Sequence, residues 1–109
     1  MPTRSYSTQT GLALQLLAKH IKLARKQRRW SESELAQRAG VSRATVQKIE
    51  RADPGCQIGL VFEAASLVGV PLFLAESPSL GALNEAADAR LALLPKRIHG
   101  RDAPVDDDF

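Results

Sequence analysis

The sequence predicts an all-α protein, and three observations support that prediction. Apolar residues recur at spacings of three and four over residues 11–28 and 80–94, which is the period of a helix with one buried face. Residues 31–51 contain two helix-start signals and one glycine stop. Hydrophobic residues make up 44% of the chain and aromatic residues only 5%, so we expect a small bundle with a modest aliphatic core.

The first predicted helix is long and amphipathic and covers about residues 11–28. Its apolar stripe consists of Leu14, Leu17, Ile21 and Ala24. The basic run at residues 25–29 suits the negative end of the helix dipole. Residues 1–10 are polar and are expected to form a flexible N-terminal arm, although Tyr6 could anchor it.

Residues 31–40 predict a second, shorter helix. Ser31 can cap it, and Glu32 and Glu34 place carboxylates in its first turn, at the positive end of the helix dipole. Gly40 ends it, because glycine adopts the left-handed conformation of a helix C-terminus without strain.

A third helix is predicted directly after this turn. Ser42 can cap it, and Val46 and Ile49 fall on its buried side. Its outward face is polar and basic and consists of Arg43, Ala44, Thr45, Gln47, Lys48 and Arg51. Two short helices joined by a glycine turn in this way are typical of a DNA-binding helix-turn-helix.

Positive charge is concentrated around these two helices. The formal net charge of +3 and the pI of about 9.4 are weak evidence for a nucleic-acid partner by themselves. Residues 19–51, however, contain ten Lys or Arg against three Glu, whereas residues 76–109 contain four basic and seven acidic residues. The basic excess therefore lies where contact with phosphates would need it.

A longer set of residues matches a known pattern in type and spacing. The matching residues are Leu17, Ile21, Arg25, Ser31, Glu34, Leu35, Ala36, Ala39, Gly40, Val41, Ser42, Thr45, Val46, Ile49 and Glu50. In these residues the chain resembles the Cro/C1-type (XRE family) helix-turn-helix regulators. The resemblance implies a small lambda-repressor-like bundle of about five helices, which we place at residues 11–76. It also implies that the helix at residues 43–51 lies in the DNA major groove.

The first turn of such a recognition helix points at base edges. By position this predicts base contacts from Arg43, Ala44, Thr45 and Lys48. The fork of Arg43 suits guanine O6 and N7, Ala44 and the Thr45 methyl suit a thymine methyl, and Lys48 can reach guanine or a phosphate.

Phosphate contacts are expected from the two helix starts and from nearby polar and basic side chains. The candidates are Arg25, Arg29, Ser31, Ser42, Gln47 and Arg51. The resemblance further implies an orienting ion pair between Arg25 and Glu50. Glu32 departs from the family, which usually has Gln there for a phosphate contact, so we leave Glu32 out and expect a different contact at that position.

Two residues have both a structural and a functional interpretation. Trp30 stands where the family usually has Leu and is predicted to cover the junction of the first two helices, with stacking on a base as the alternative. Cys56 is the only cysteine, so it cannot form an internal disulfide. We interpret it as a small, half-buried apolar residue, with a redox-sensing thiol as the alternative.

A fourth helix is predicted at about residues 60–68, with Gly69 as its stop. The apolar run at residues 70–75 could be a short helix or a strand, and a strand would have to pair with its copy in a second subunit. The segment at residues 77–94 is expected to make dimer or partner contacts. Within it, a C-terminal helix is predicted at about residues 80–94. The predicted dimer contacts are Leu72, Phe73, Leu74, Leu83 and Leu91. Residues 95–109 are expected to form an acidic, flexible tail.

The sequence offers no convincing catalytic or metal-binding constellation. His20 and His99 are far apart and have no metal-ligand spacing. We expect no enzyme activity, no metal and no cofactor. Since no signal peptide or membrane span is evident, a cytoplasmic, nucleoid-associated protein is expected.

The sequence therefore predicts a sequence-specific repressor that binds a pseudo-palindromic operator as a homodimer. Residues 69–75 and 94–98 also resemble segments of HipB-type antitoxins, which repress their own operon and bind HipA-type kinase toxins. This resemblance implies an autoregulating antitoxin of a toxin-antitoxin operon. A stand-alone phage-type or chromosomal repressor without a toxin partner is the alternative.

Overall fold

The computed structural model describes residues 4–73 and 79–97, which contain five helices. The helices are α1 (Thr8–Gln27), α2 (Glu32–Ala39), α3 (Arg43–Glu50), α4 (Ile58–Leu67) and α5 (Leu80–Ala92). Within these two ranges there is no strand, and the all-α prediction is confirmed. The chain divides into a unit of residues 1–73, which holds α1–α4, and a unit of residues 74–109, which holds α5.

Helix α1 begins three residues earlier than predicted, in the segment expected to be a flexible arm. Ser7 has an extended backbone, and its Oγ accepts a hydrogen bond from the N–H of Thr10 at 3.2 Å. A serine cap of this kind stabilises a helix by about 0.5–2 kcal/mol. The cap therefore extends the helix beyond the apolar stripe from which its start was predicted.

The core of the first unit lies where α1–α4 meet. Ile21, Leu35 and Val46 come from α1, α2 and α3 and are completely buried. Helix α2 packs against both α3 and α4, and α1 packs against α3. The other buried apolar residues of this core are Ala36, Ile49, Ala64, Ala65, Val68 and Val70. The inner face of α3 is thus fixed, and its opposite face is left to solvent.

The turn between α2 and α3 has the predicted form. Gly40 has φ +72°, and the N–H of Val41 donates to the carbonyl of Ala36 at 3.0 Å, which closes the end of α2 in a Schellman motif. Ser42 then caps α3 by accepting from the N–H of Thr45 at 3.1 Å. The helix-turn-helix predicted from the Ser and Gly positions is therefore present.

Trp30 is half-buried and packs against the core at the junction of α1 and α2. The Arg38 guanidinium lies 4.2 Å from the centre of its ring, and the Arg28 guanidinium lies 5.4 Å from it. The Nε of Arg28 also donates to the carbonyl of Val68 at 3.0 Å. Each cation–π contact contributes about 0.5–1 kcal/mol at an exposed site, so these arginines hold the indole in place.

The chain leaves α4 through Gly69, which has φ +83°, and continues into the ambiguous segment at residues 70–75. Residues 70–73 are neither helix nor strand, while residues 74 and 75 lie outside the described part of the chain. Val70 is buried, and the Phe73 ring lies edge-on to Phe62 with centroids 6.4 Å apart. The start of this segment therefore packs on its own unit.

Helix α5 is the only described element of the second unit. Ser79 caps it by accepting from the N–H of Ala82 at 3.0 Å, and the helix ends two residues before the predicted Leu94. None of its side chains is buried. Most of the predicted acidic tail, residues 98–109, lies outside the described residues.

Candidate nucleic-acid interface

The four residues expected to contact bases lie on the outward side of α3. Arg43, Ala44 and Lys48 are exposed, and Thr45 is half-buried. Val46, on the opposite side of the helix, is completely buried. Because the inner face of α3 is fixed in the core, the helix cannot rotate, and the same side chains of its first turn always face solvent.

Ser42 and Thr45 organise this first turn. Besides the capping hydrogen bond, their two hydroxyl oxygens lie 3.0 Å apart. The Thr45 hydroxyl is therefore engaged within the cap, and its methyl group is the part suited to a thymine contact.

Arg25 and Glu50 form a buried, bidentate ion pair between α1 and the end of α3. The Nε of Arg25 donates to Glu50 Oε2 at 2.7 Å and Nη2 donates to Oε1 at 3.0 Å. Nη1 donates to the carbonyl of Trp30 at 2.8 Å. The hydrogen bond with Glu50 raises the pKa of Arg25 above its ordinary value. Since all three guanidinium nitrogens donate to protein acceptors, the geometry favours the orienting role of Arg25 over the phosphate contact also expected for it.

Glu32, which was left out of the predicted site, joins the start of α2 to α3. Its Oε1 accepts hydrogen bonds from Arg43 Nε at 3.2 Å and from Gln47 Nε2 at 3.1 Å. These bonds, that with Gln47 first, lower the pKa of the Glu32 carboxyl below its ordinary value. The replacement of the family's usual Gln by Glu indicated that the contact at this position would differ. Sequence spacing alone did not indicate which α3 side chains the carboxylate contacts.

The remaining phosphate candidates are spread over the ends of the helices. Ser31 and Ser42 are the N-caps of α2 and α3, Arg29 lies between α1 and α2 with φ +63°, and Arg51 ends α3. All four are exposed. Gln47 is half-buried and bonded to Glu32, so it is less available to a phosphate than the other four.

A groove between Arg51 and the start of α2 combines charges of both signs. Lys22, Glu32, Gln47, Glu50 and Arg51 line it. The two cations are the lining groups suited to a DNA phosphate, whereas the Glu32 carboxylate would repel one.

A second groove lies between the end of α3 and the start of α4. Lys48, Asp53, Cys56 and Leu60 are among its lining residues. Burial, and secondarily the charge of Asp53, raises the pKa of the Cys56 thiol above its ordinary value. The half-buried environment agrees with the interpretation of Cys56 as a small apolar residue.

The candidate dimer contacts fall in different environments. Leu72 packs against the core of the first unit, and Phe73 is exposed despite its contact with Phe62. Leu83 and Leu91 are exposed on α5. Leu74 lies outside the described residues.

Residues 4–73 and 79–97 contain neither a candidate metal site nor a candidate membrane span. In that part of the chain, no group of three His, Cys, Asp or Glu side chains could hold a metal ion. None of the described helices is long and apolar enough to cross a membrane.

The family comparison matches the part of the chain that carries this interface. Residues 21–73, from the last two turns of α1 to the segment after α4, match the family model described as Helix-turn-helix (HTH_3). Residues 21–73 form a helix-turn-helix domain of the XRE type. No curated protein matches the chain in sequence.

Solved structures share the fold of this chain. The structure named "MDT Protein" is 25% identical with a TM-score of 0.52, over 70% of this chain and 99% of that one. The "HipA-HipB-O2-O3 complex" is 25% identical with a TM-score of 0.51, over 70% and 99% of the two chains. The "HipB-O1-O2 complex" is 25% identical with a TM-score of 0.52, over 69% and 100%.

Proposed function

We propose that this XRE-type regulator is a sequence-specific transcriptional repressor that binds operator DNA as a homodimer. The observation that supports this best is the outward face of α3, where Arg43 in the first turn and Lys48 in the last turn are exposed on a helix whose other side is fixed in the core. Arg43, Ala44, Thr45 and Lys48 read base edges in the major groove. One such unit covers a half-site, and two copies bind half-sites about 34–36 Å apart.

Phosphate contacts fix the position of the unit on the duplex. Backbone N–H groups at the starts of α2 and α3 and the exposed Arg29 and Arg51 are the contacting groups. The buried pair of Arg25 and Glu50 keeps the end of α3 in register with α1, so that both sets of contacts are made together.

Selection of binding sites from randomised duplex DNA tests this proposal. The wild-type chain should enrich a pseudo-palindromic consensus, and Arg43→Ala should lose preference for one guanine per half-site by on the order of 10-fold. Arg90→Ala, which removes an arginine from the last turn of α5, is the matched control and should retain the consensus. Failure of the wild type to enrich any consensus would overturn sequence-specific readout. A monomer by sedimentation on the selected site would overturn the homodimer.

We propose further that the repressor is the autoregulating antitoxin of a HipB-like toxin-antitoxin operon and binds a HipA-type kinase toxin. The likeness to HipB extends over 99–100% of the matched HipB chains, and one of those structures is a complex with HipA. This support is specific to HipB, whereas the helix-turn-helix alone fits the alternative of a stand-alone repressor equally well.

A pull-down from the native cells, with and without nuclease, separates these two functions. A stoichiometric partner that survives nuclease and belongs to the HipA type is the expected result. The chain shortened to residues 1–94 should still bind the selected DNA but should lose neutralisation of that partner in co-expression. Recovery of DNA alone would leave the stand-alone repressor as the function.

A further inference from the structure

Glu32 connects two α3 side chains of the candidate interface through a single oxygen atom. Its Oε1 accepts from Arg43 Nε at 3.2 Å and from Gln47 Nε2 at 3.1 Å. Arg43 and Gln47 lie one turn apart on α3, so this carboxylate spans the first turn of the helix. The backbone of Glu32 is held in helical geometry, because Glu32 directly follows the N-cap Ser31 at the start of α2.

The contact with Glu32 uses one donor of Arg43 and leaves the others. Within the described part of the chain, Arg43 Nε donates to Glu32, and the two terminal amino groups have no acceptor there. Guanine recognition requires a pair of parallel N–H donors, which these terminal groups can supply. The Arg43 side chain is 62% exposed, so without Glu32 its orientation would be restrained by little else.

We propose that Glu32 is a positioning residue for base recognition, which holds the Arg43 guanidinium from behind while its outer edge reads guanine. An arginine side chain carries about 2 kcal/mol of rotamer entropy, and part of it is lost before DNA arrives when the guanidinium is already held. Gln47 fixes the carboxylate in turn, so that the three side chains form one unit at the start of α3.

The Glu32 carboxylate also lowers the sequence-independent affinity for DNA. Glu32 borders the groove that also holds Lys22 and Arg51, where a backbone phosphate is the expected neighbour. Its negative charge repels that phosphate on every sequence alike. Glu32 therefore increases discrimination between bases and weakens binding to DNA of any sequence. A variant without this carboxylate should discriminate less between bases and bind random DNA more tightly.

This inference rests on the proposed DNA-reading role of Arg43, and its test uses full-length protein and the duplexes selected above. Glu32→Ala removes both the acceptor and the charge, whereas Glu32→Gln removes the charge and keeps an acceptor oxygen. Glu34→Gln is the matched control, because Glu34 lies in the same first turn of α2 but pairs with Arg38 instead of an α3 side chain.

Affinity for random-sequence duplex DNA should rise by about 2- to 5-fold in Glu32→Ala and Glu32→Gln. Discrimination at the guanine read by Arg43 should fall by about 2- to 5-fold in Glu32→Ala, which is less than the loss in Arg43→Ala, and by less again in Glu32→Gln. Glu34→Gln should leave that discrimination unchanged. A merely structural role for Glu32 would lower binding to all sequences together and would not separate these two readouts.

A double-mutant cycle completes the test. In an Arg43→Ala background, Glu32→Ala should have no further effect on discrimination at that base pair, since the group it positions is gone. Unchanged discrimination in Glu32→Ala, or an equal loss in Glu34→Gln, would overturn the positioning role. Failure of the wild type itself to select a consensus would instead refute the proposed function, so the two failures are distinguishable.

Discussion

The guanidinium of Arg25 and the carboxylate of Glu50 form a bidentate ion pair whose side chains are only 7% and 4% exposed. Glu50 is the last residue of α3, and Arg25 lies in the last turns of α1. A third hydrogen bond ties the same guanidinium to the carbonyl of Trp30, next to the start of α2. One buried side chain therefore sets the relative positions of three helices around the candidate interface.

Glu50→Gln should lower the free energy of unfolding by about 3–5 kcal/mol, because it leaves the Arg25 charge buried without a counterion. Urea denaturation monitored by far-ultraviolet circular dichroism measures this change. Arg25→Met combined with Glu50→Leu should regain much of the stability, since replacing both buried charges by apolar groups of similar size is often neutral.

The exposed pair of Glu34 and Arg38 is the control for that prediction. Its side chains are 43% and 49% exposed, so Glu34→Gln should change the free energy of unfolding by at most about 1 kcal/mol. Similar losses in Glu50→Gln and Glu34→Gln would contradict the structural importance of the buried pair.

Gly40→Ala should destabilise the chain by about 1 kcal/mol or more, because the turn requires φ +72° and a Cβ is strained there. The added methyl group itself meets no atom within 4 Å, so the penalty comes from the backbone alone. Gly11→Ala, inside α1 and equally uncrowded, should stabilise the chain by roughly 0.5–1 kcal/mol. Opposite shifts of the thermal unfolding midpoint are therefore expected, and equal shifts would contradict the requirement for glycine in the turn.

Arg51→Ala should weaken binding to all DNA sequences in proportion and lower the slope of log affinity against log salt concentration by about 1. The reason is that a phosphate contact releases one counterion and reads no base. Fluorescence anisotropy over a salt series measures the slope, and Arg90→Ala serves as the control. A changed base preference with an unchanged slope would reassign Arg51 to base readout.

The contact between Glu32 and Arg43 should persist to a pH below the ordinary carboxyl pKa of 4.5, since its hydrogen bonds hold the pKa of Glu32 lower than that value. A depressed pKa contributes stability that is present above 4.5 and is lost as the pH falls through the lowered pKa. Titration of the Glu32 carboxyl carbon by NMR measures it. Arg43→Ala should move this pKa upward, and an unchanged titration would show that the contact is not formed in solution.

Cys56 should react slowly with iodoacetamide at neutral pH, because its raised pKa keeps it in the thiol form and only the thiolate attacks. The rate should increase with pH and do so at higher pH than for an unhindered thiol such as glutathione. Asp53→Asn should lower the pKa and speed the reaction slightly, since it removes the second cause of the shift. Rapid alkylation at pH 7 would favour the redox-sensing alternative.

Local sequence signals predicted the helix-turn-helix well. Ser31, Gly40 and Ser42 act through contacts with residues at most five positions away, so their roles could be inferred from the sequence. Ser7 is an N-cap of the same kind, but the start of α1 was predicted from the apolar stripe instead, and so three residues too late.

Contacts between helices were harder to predict from the sequence. The pairing of Arg25 with Glu50 was implied by the family resemblance and not by any spacing in this sequence. The contact of Glu32 with Arg43 spans 11 residues and that with Gln47 spans 15, and no periodicity relates such positions. The two arginines over Trp30 went unpredicted for the same reason.

The sequence by itself determined the all-α class, the two capped helices with their glycine turn, and the polar face of α3. These features follow from hydrogen bonds and apolar periods within one or two helical turns, and such interactions are encoded locally. Only the tertiary structure decided that Glu32 meets the start of α3 and that Arg25 is directed into the protein. The physical reason is that these contacts depend on how α1, α2 and α3 pack around Ile21, Leu35 and Val46, and packing brings together charges that are distant in the chain.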